Sequence, residues 1–317
     1  MIDAARVCYY PWFVINNQPE GFLFGGNIHD WPSWSGIFQS VEIWEPLIRR
    51  IFEKEKLPCL SITSLTPGTN AVFRAGGHVI KIFVPAESGY DGREDLTEAA
   101  ALQRAVFCGV ACPKLAASGV IHDKYSFAYM ITEYIEGKSF DEAAVRFNEA
   151  DKVLFAGRLR KITDSINKPC EPVNDIDVIG GGDRHWRWDR YPESFRRERL
   201  EYISSHDYGA KVFVHGDLCG DNILIDGALD IHIIDFADAV MAPLAYEQAH
   251  VAIELFALEK AYLRGYFGEY ERNELTDLCF NGIIIHDFGG DIVEQRLAKP
   301  AEITCLQDLR DRIRGKI

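Results

Sequence analysis

The stretch Val212 to Asp238, VFVHGDLCGDNILIDGALDIHIIDFAD, constrains this chain more than any other. Two apolar β-like runs, Lys211–Val214 and Ile231–Ile234, bracket a polar loop that begins His215-Gly216-Asp217. Asn222 stands five positions after Asp217, and the short run Ile223–Ile225 then turns at Asp226-Gly227 and leads to Asp235-Phe236. β-branched runs of this length between Gly- and Asp-bearing turns predict short strands with tight connections. A plain β-hairpin would account for Asp226-Gly227 as turn formers. It does not account for the rest of the stretch.

Strand, loop, strand, turn, strand and acid, in that order, is similar to the layout of the kinase catalytic and metal loops. More closely, the stretch resembles the aminoglycoside phosphotransferase and choline kinase superfamily, the small-molecule branch of the kinase-like fold. That family writes HGD, four residues, then Asn, and later isoleucine-aspartate followed by an aromatic. His215, Gly216, Asp217, Asn222, Ile234, Asp235 and Phe236 all fall on those positions. The resemblance implies that Asp217 is the catalytic carboxylate that meets the substrate hydroxyl. It implies equally that Asn222 and Asp235 hold Mg²⁺ against the phosphates of ATP or GTP.

Upstream, Ser61–Leu65, Ala71–Arg74 and His78–Phe83 read as three short strands joined at Pro67-Gly68-Thr69-Asn70 and Gly76-Gly77. No GxGxxG is present, so these turns by themselves describe an ordinary sheet. Lys81 sits among β-branched and aromatic residues in the third strand, and Glu98 lies in the Ala-rich helical run from about Glu94 to Phe107. In the family this strand's lysine reaches the α- and β-phosphates and pairs with a glutamate of the following helix, which assigns Lys81 and Glu98. Tyr125–Tyr134 reads as a buried strand running into Ile135-Glu136-Gly137. The resemblance makes this the hinge, with the carbonyl of Glu133 and the amide of Ile135 as the adenine contacts.

The remaining segments are read from pattern. Tyr9, Tyr10, Trp12, Phe13, Phe22, Phe24, Trp31, Trp34 and Phe38 crowd the first forty positions, a density that predicts packing on the body or against a second subunit. A helix from Ser40 to about Lys56 places Ile43, Trp44, Leu47, Ile48, Ile51 and Phe52 on one face, with Pro46 in or near its first turn. Ser139 and Glu142 form a candidate capping box, Phe155 to Ile166 repeats at helical spacing, and residues 167–192 read as irregular, more decoration than cleft lining. Glu193–Ser205 is a short helix, and residues 251–317 are mostly helical by pattern. After Asp235, Asp238 continues the family pattern, and Glu247 replaces its usual helix-opening aspartate, as in the hygromycin-phosphotransferase-like subgroup. Protein kinases place arginine where Gly216 stands, and the segment after Asp235 is too short for an activation loop, which argues against a phospho-regulated protein kinase.

Composition adds limits. The net charge of −14 argues against nucleic acid or an anionic membrane as partner and fits a cationic, amine-bearing acceptor as well as an ordinary acidic enzyme. The eight cysteines form no CxxC pair and read as free thiols, with Cys219 a spacer in the catalytic loop. No apolar run spans a bilayer, and the N-terminus lacks the pattern of a signal peptide, so a cytoplasmic protein is expected.

The expected architecture is an α+β, bilobal, protein-kinase-like fold. It comprises an aromatic-rich extension over residues 1–40, a small β-rich N-lobe over 41–133 and a larger, mainly helical C-lobe over 134–317. The expected function is Mg²⁺-dependent transfer of the γ-phosphoryl group of ATP or GTP to a hydroxyl of a small molecule, foremost an aminoglycoside-type or other amine-bearing acceptor. The alternatives are a metabolite kinase of choline, thiosugar or fructosamine type, and a non-catalytic nucleotide-binding pseudokinase or interaction protein. The sequence leaves oligomeric state open.

Overall fold

Alternation of small or apolar residues with exposed ones builds the N-terminal sheet in a computed structural model that describes residues 21–66, 68–90, 94–181, 186–227 and 229–317. Strands β1 (Ile62–Ser64), β2 (Ala71–Ala75), β3 (His78–Ile82), β4 (Leu115–His122) and β5 (Ser126–Glu133) form one antiparallel sheet in the order β1-β2-β3-β5-β4. In β2, Ala71, Phe73 and Ala75 point inward, as a period of two demands. The β3–β5 register sets Lys81 opposite Met130. β4 has no counterpart among the predicted strands, because its small residues alternate only between half-buried and exposed.

Three helices precede or cross this sheet. Helix α1 (Trp31–Ser35) starts at a reciprocal capping box between Asp30 and Ser33. Helix α2 (Val41–Lys54) buries Trp44, Leu47, Ile48, Ile51 and Phe52 as its spacing predicts, with Pro46 inside the helix. The aromatic segment packs on the body: Phe24, Ile28 and Trp34 enter the same core as Trp44, Phe73 and Phe127. The indole of Trp34 donates to the Thr69 carbonyl at 3.0 Å. Of the aromatic residues expected to pack, Tyr9, Tyr10, Trp12 and Phe13 lie outside the described residues. Helix α3 (Glu94–Phe107) faces the sheet with Glu98, Ala101, Leu102 and Ala105.

Beyond β5 the chain becomes helical. A short strand β6 (Lys138–Ser139) leads to α4 (Phe140–Ala144), then α5 (Glu149–Ile166) and α6 (Glu193–Ser205). Ser139 accepts the Glu142 amide at 3.3 Å without the return bond, so only half of the predicted capping box forms. Strand β7 (Lys211–Val214) is followed by the hairpin β8 (Ile223–Ile225) and β9 (Ile231–Ile233), and β6 pairs with β8. Strand β10 (Val240–Pro243) returns antiparallel to β7, with Val240 opposite Val214. That pairing brings the segment after Asp235 back beside the strand that delivers His215.

Helices α7 (Leu244–His250), α8 (Lys260–Phe267), α9 (Arg272–Ile285), α10 (Gly289–Arg296) and α11 (Leu306–Lys316) complete the lower part. Helix α7 runs on into a π turn over Val251–Leu255. Among the described residues no helix is long and apolar enough to cross a membrane.

The seat of α7 is set by close approach. Gly282 of α9 lies so near α7 that a Cβ there would overlap the Ala245 carbonyl oxygen and the Ala249 side chain. Interiors packed to near-crystal density absorb such an addition only by moving backbone. Gly282→Ala is therefore expected to destabilise the fold by about 1–3 kcal/mol, seen as a lower denaturant midpoint with an unchanged m-value.

Candidate active site

Lys81 is almost fully buried, 7% exposed. Its Nζ lies 2.8 Å from Glu98 Oε2 on α3 and 2.7 Å from Asp235 Oδ1 on the loop after β9. Burial alone favours the neutral amine, but the charges of Asp235 and Glu98 prevail and hold Lys81 protonated, its pKa above the ordinary lysine value. Burial pushes Glu98 up. Asp235 adopts φ +57, a left-handed conformation that costs a non-glycine residue roughly 1–3 kcal/mol and aims its carboxylate at the ammonium. Helix α3 is also tied from below: Arg104 donates to the Lys168 carbonyl at 3.0 Å, and Asn174 bridges the Ala239 carbonyl (2.8 Å) and Thr97 Oγ1 (3.4 Å).

The loop after β7 is built around hydrogen bonds that its residue types dictate. His215 is 1% exposed, and its Nδ1 accepts the Asp217 amide at 3.2 Å. That fixes the proton on Nε2, which donates to the Ile234 carbonyl at 3.0 Å and joins the loop to the segment carrying Asp235. Gly216 has φ +87, and any Cβ there would collide with the Asp238 carbonyl oxygen, so only glycine fits. Glu247 on α7, 1% exposed, accepts the amides of His215 and Gly216 (the latter at 3.2 Å) on Oε2 and Asn167 Nδ2 at 2.8 Å on Oε1. The longer acid thus reaches the loop from below.

Asp217 and Asn222 meet directly. Asn222 Nδ2 donates to the Asp217 carbonyl and to its carboxylate Oδ2, both at 2.9 Å. Two acceptors claim the amide nitrogen, so the Asn222 side-chain oxygen faces away from Asp217. The Ile234 amide donates to the Asn222 carbonyl at 3.0 Å, which places Asn222 beside Asp235. An amide oxygen and a carboxylate, with phosphates and water completing the shell, are hard oxygen donors that suit Mg²⁺. Among the described residues no cluster of three or more His, Cys, Asp or Glu side chains offers a competing metal site.

Burial works to raise the Asp217 carboxyl, but the hydrogen bond from His250 and the other neighbours of the loop outweigh it and leave the pKa below the usual carboxylate range. Asp238 goes the other way, pushed up to about 8 by burial and then by the charges of Asp217 and Asp235. Burial also pushes the Cys219 thiol up to about 12, so it stays a neutral neighbour of Asp217. The described cysteines are free thiols, of which Cys279 is fully buried and the others half-buried.

The predicted residues therefore fall into two joined groups, Lys81 with Glu98 and Asp235, and Asp217 with Asn222. Glu133 and Ile135 lie apart from both, at the end of β5 and just beyond it. The Glu133 amide donates to the Lys114 carbonyl and the Tyr134 amide to the Gly77 carbonyl, at 3.0 and 2.9 Å, so the strand end is fixed on both sides. Asn167, Asn174 and His250 touch the site without any signal in the sequence pattern. The irregular segment after α5 is thus partly a brace and not mere decoration, with Trp188 buried in the lower core; residues 182–185 lie outside the described residues.

A lysine–glutamate pair on a five-stranded sheet, facing an aspartate–asparagine loop over a helical base, defines a kinase-like α+β fold. The chain belongs to the phosphotransferase enzyme family, whose sequence pattern matches residues 79–276, more than half its length, and it is a small-molecule kinase by class. Among solved structures it is similar to the GDP complex of wild-type aminoglycoside 2′-phosphotransferase-IIIa, at 18% identity and TM-score 0.59, over 88% of this chain and 100% of that one. It is similar to the ADP and hygromycin B complex of a thermostable mutant of aminoglycoside phosphotransferase APH(4)-Ia at 15% identity and TM-score 0.53, over 84% and 96% of the two chains. A choline/ethanolamine kinase family protein from Mesorhizobium loti follows at 17% identity and TM-score 0.50, over 74% and 77%. At these identities the likeness is one of fold. None of the curated proteins matches the sequence.

Glu247 offers a direct check of the loop geometry. In Glu247→Gln one acceptor oxygen becomes an NH₂ facing N–H donors, and a hydrogen bond to a charged group is worth about 1.5–3 kcal/mol. The variant is expected to lose about that much stability in equilibrium unfolding and to turn over more slowly.

Proposed function

We propose that this chain transfers the γ-phosphoryl group of ATP or GTP to a hydroxyl of a small molecule, with an aminoglycoside-type or other amine-bearing acceptor the best-supported class. The observation that carries the reading is the joined pair of groups, Lys81 between Glu98 and Asp235, and Asp217 held by Asn222. In this reading the carbonyl of Glu133 and the amide of Ile135 receive the base. Lys81 neutralises phosphate charge, and Glu98 keeps its ammonium in place. Asn222 and Asp235 would hold Mg²⁺, which would supply neutralisation of phosphate charge. Asp217 orients the acceptor hydroxyl and takes its proton as the new O–P bond forms and the bond to the β-phosphate oxygen breaks. Its lowered pKa keeps it ionised and able to accept. Positioning and charge carry most of the rate, since phosphoryl transfer asks little covalent work of the protein.

Electrostatics support the acceptor class. The negative charges of Asp217, Asp235, Glu94 and Asp287 all act on Asp238, so carboxylates from both lobes share one neighbourhood. Such a field attracts cations, and the chain's net charge of −14 extends it. An amine-bearing acceptor is drawn in and a free anionic one repelled. Choline-, thiosugar- and fructosamine-type acceptors remain the competing class within the same chemistry.

The direct experiment is Mg²⁺- and ATP- or GTP-dependent phosphorylation across aminoglycosides, choline, thiosugars and fructosamines. Turnover on one amine-bearing class supports the reading; turnover confined to an uncharged acceptor overturns the acceptor class. Chelation of Mg²⁺ is expected to abolish turnover. Asp217→Asn is expected to leave the nucleotide Kd within about twofold while lowering kcat by roughly 10²–10⁴, and undiminished turnover in that variant would defeat the assignment.

A further inference from the structure

His250 closes α7 at the point where the α-helix passes into the π turn over Val251–Leu255. It follows Glu247 by three positions, so both side chains leave the same helix face. Glu247 holds the amides of His215 and Gly216, and His250 reaches the next residue. Its Nε2 lies 3.4 Å from Asp217 Oδ1, and its side chain is 2% exposed. An ionised carboxylate offers only acceptors, so Nε2 carries the proton at this contact. Among the described residues, Nδ1 has no hydrogen-bond partner.

The ring cannot turn freely. It stacks on His286, with centroids 4.7 Å apart and planes at 23°, and His286 stacks in turn on Tyr246 at 4.0 Å and 26°. His286 Nδ1 accepts the Phe288 amide at 3.1 Å, which fixes the middle ring of the three. A phenyl ring would fill such an apolar stack without burying a polar nitrogen. What the imidazole adds is one N–H, directed at the carboxylate that the proposed reaction uses. Asn222 Nδ2 holds the other oxygen of that carboxylate.

We propose that His250 is a positioning residue: its Nε2–H at Oδ1, opposed by Asn222 at Oδ2, pins the plane of the Asp217 carboxylate for the acceptor hydroxyl. The kinetic part of this inference rests on the phosphotransfer reading; the contact itself does not. A carboxylate free to rotate about its terminal torsion spends less time in the productive orientation, and a small misplacement at a reacting atom can cost about a hundredfold in rate.

Two variants separate donor from packing. His250→Phe keeps the ring in the stack and removes the N–H, while His250→Gln returns an N–H at nearly the reach of Nε2. With the acceptor that gives turnover in the panel, His250→Phe is expected to lower kcat by about ten- to a hundredfold. Nucleotide KM should stay within about twofold and the unfolding midpoint near that of the parent, and His250→Gln should recover most of the loss. Parental kcat in His250→Phe, or equal losses in both variants, overturns the proposal. A readout independent of turnover is the long-range ¹H–¹⁵N spectrum of histidine-labelled protein, with His250 assigned by its absence in His250→Phe. The Nε2–H tautomer, shifted selectively in Asp217→Asn, supports the contact, whereas an Nδ1–H tautomer or no response overturns it. If the contact is seen and the parent protein turns over no acceptor, the phosphotransfer reading and the positioning role fall together and the contact stands alone.

Discussion

One buried ammonium holds the site together. Lys81 rises from β3 into a region where it is almost wholly removed from water, and it remains charged only because Glu98 and Asp235 converge on it. Removing one partner of such a buried set leaves uncompensated charge, at a cost of about 3–5 kcal/mol. The same contact therefore fixes the sheet, helix α3 and the loop after β9 in one arrangement. Asn174 and Arg104 add neutral and cationic ties between α3 and the lower part, so α3 does not depend on the ion pair alone for its place.

The second dependence runs through backbone amides. The loop from His215 to Asn222 is irregular, and its N–H groups need partners that a sheet or helix would otherwise supply. Glu247 takes two of them from α7, and the His215 ring takes a third. An aspartate could meet the same demand only from a helix one methylene closer. Gly282 of α9 and the π turn after His250 show how tightly α7 is seated. The carboxylate of Asp217 is thus supported at four removes, from packing of α9 on α7, through Glu247, to the loop backbone and finally to its own oxygens.

Charge has a coherent distribution across these parts. Lys81 is satisfied by protein carboxylates, while the charges of Asp217, Asp235 and Asp287 all act on Asp238. The protein thus arranges negative potential around its proposed reaction centre and leaves cations to come from outside, as a metal and as an amine-bearing acceptor. Cys219, in the middle of the loop, stays neutral and contributes only its thiol contact to Asp217 Oδ2 at 3.7 Å.

Much of this was legible in the sequence, because local pattern specifies local structure. The spans of α3, α6, β7 and β8 follow from periodicity and turn residues. The spacing of Asp217, Asn222 and Asp235 placed them on one loop–hairpin–loop unit that could fold in few ways. The pairing of Lys81 with Glu98 was implied by the family resemblance, and the structure brings the two side chains together. Strand β4 pairs with its chain neighbour β5 and escapes the pattern only because its residues alternate between half-buried and exposed. The inward packing of Trp34 depended on partners distant in sequence. So did the roles of Asn167, Asn174 and His250, whose side chains acquire meaning only when α7, α9 and the segment after α5 close on the loop. The sequence by itself, through motifs that match the family, determined which side chains are candidates for the chemistry, since residue type and spacing suffice for that. Only the tertiary structure decided which groups hold them still, because restraint comes from contacts between elements as much as 154 residues apart and leaves no periodic trace in the chain.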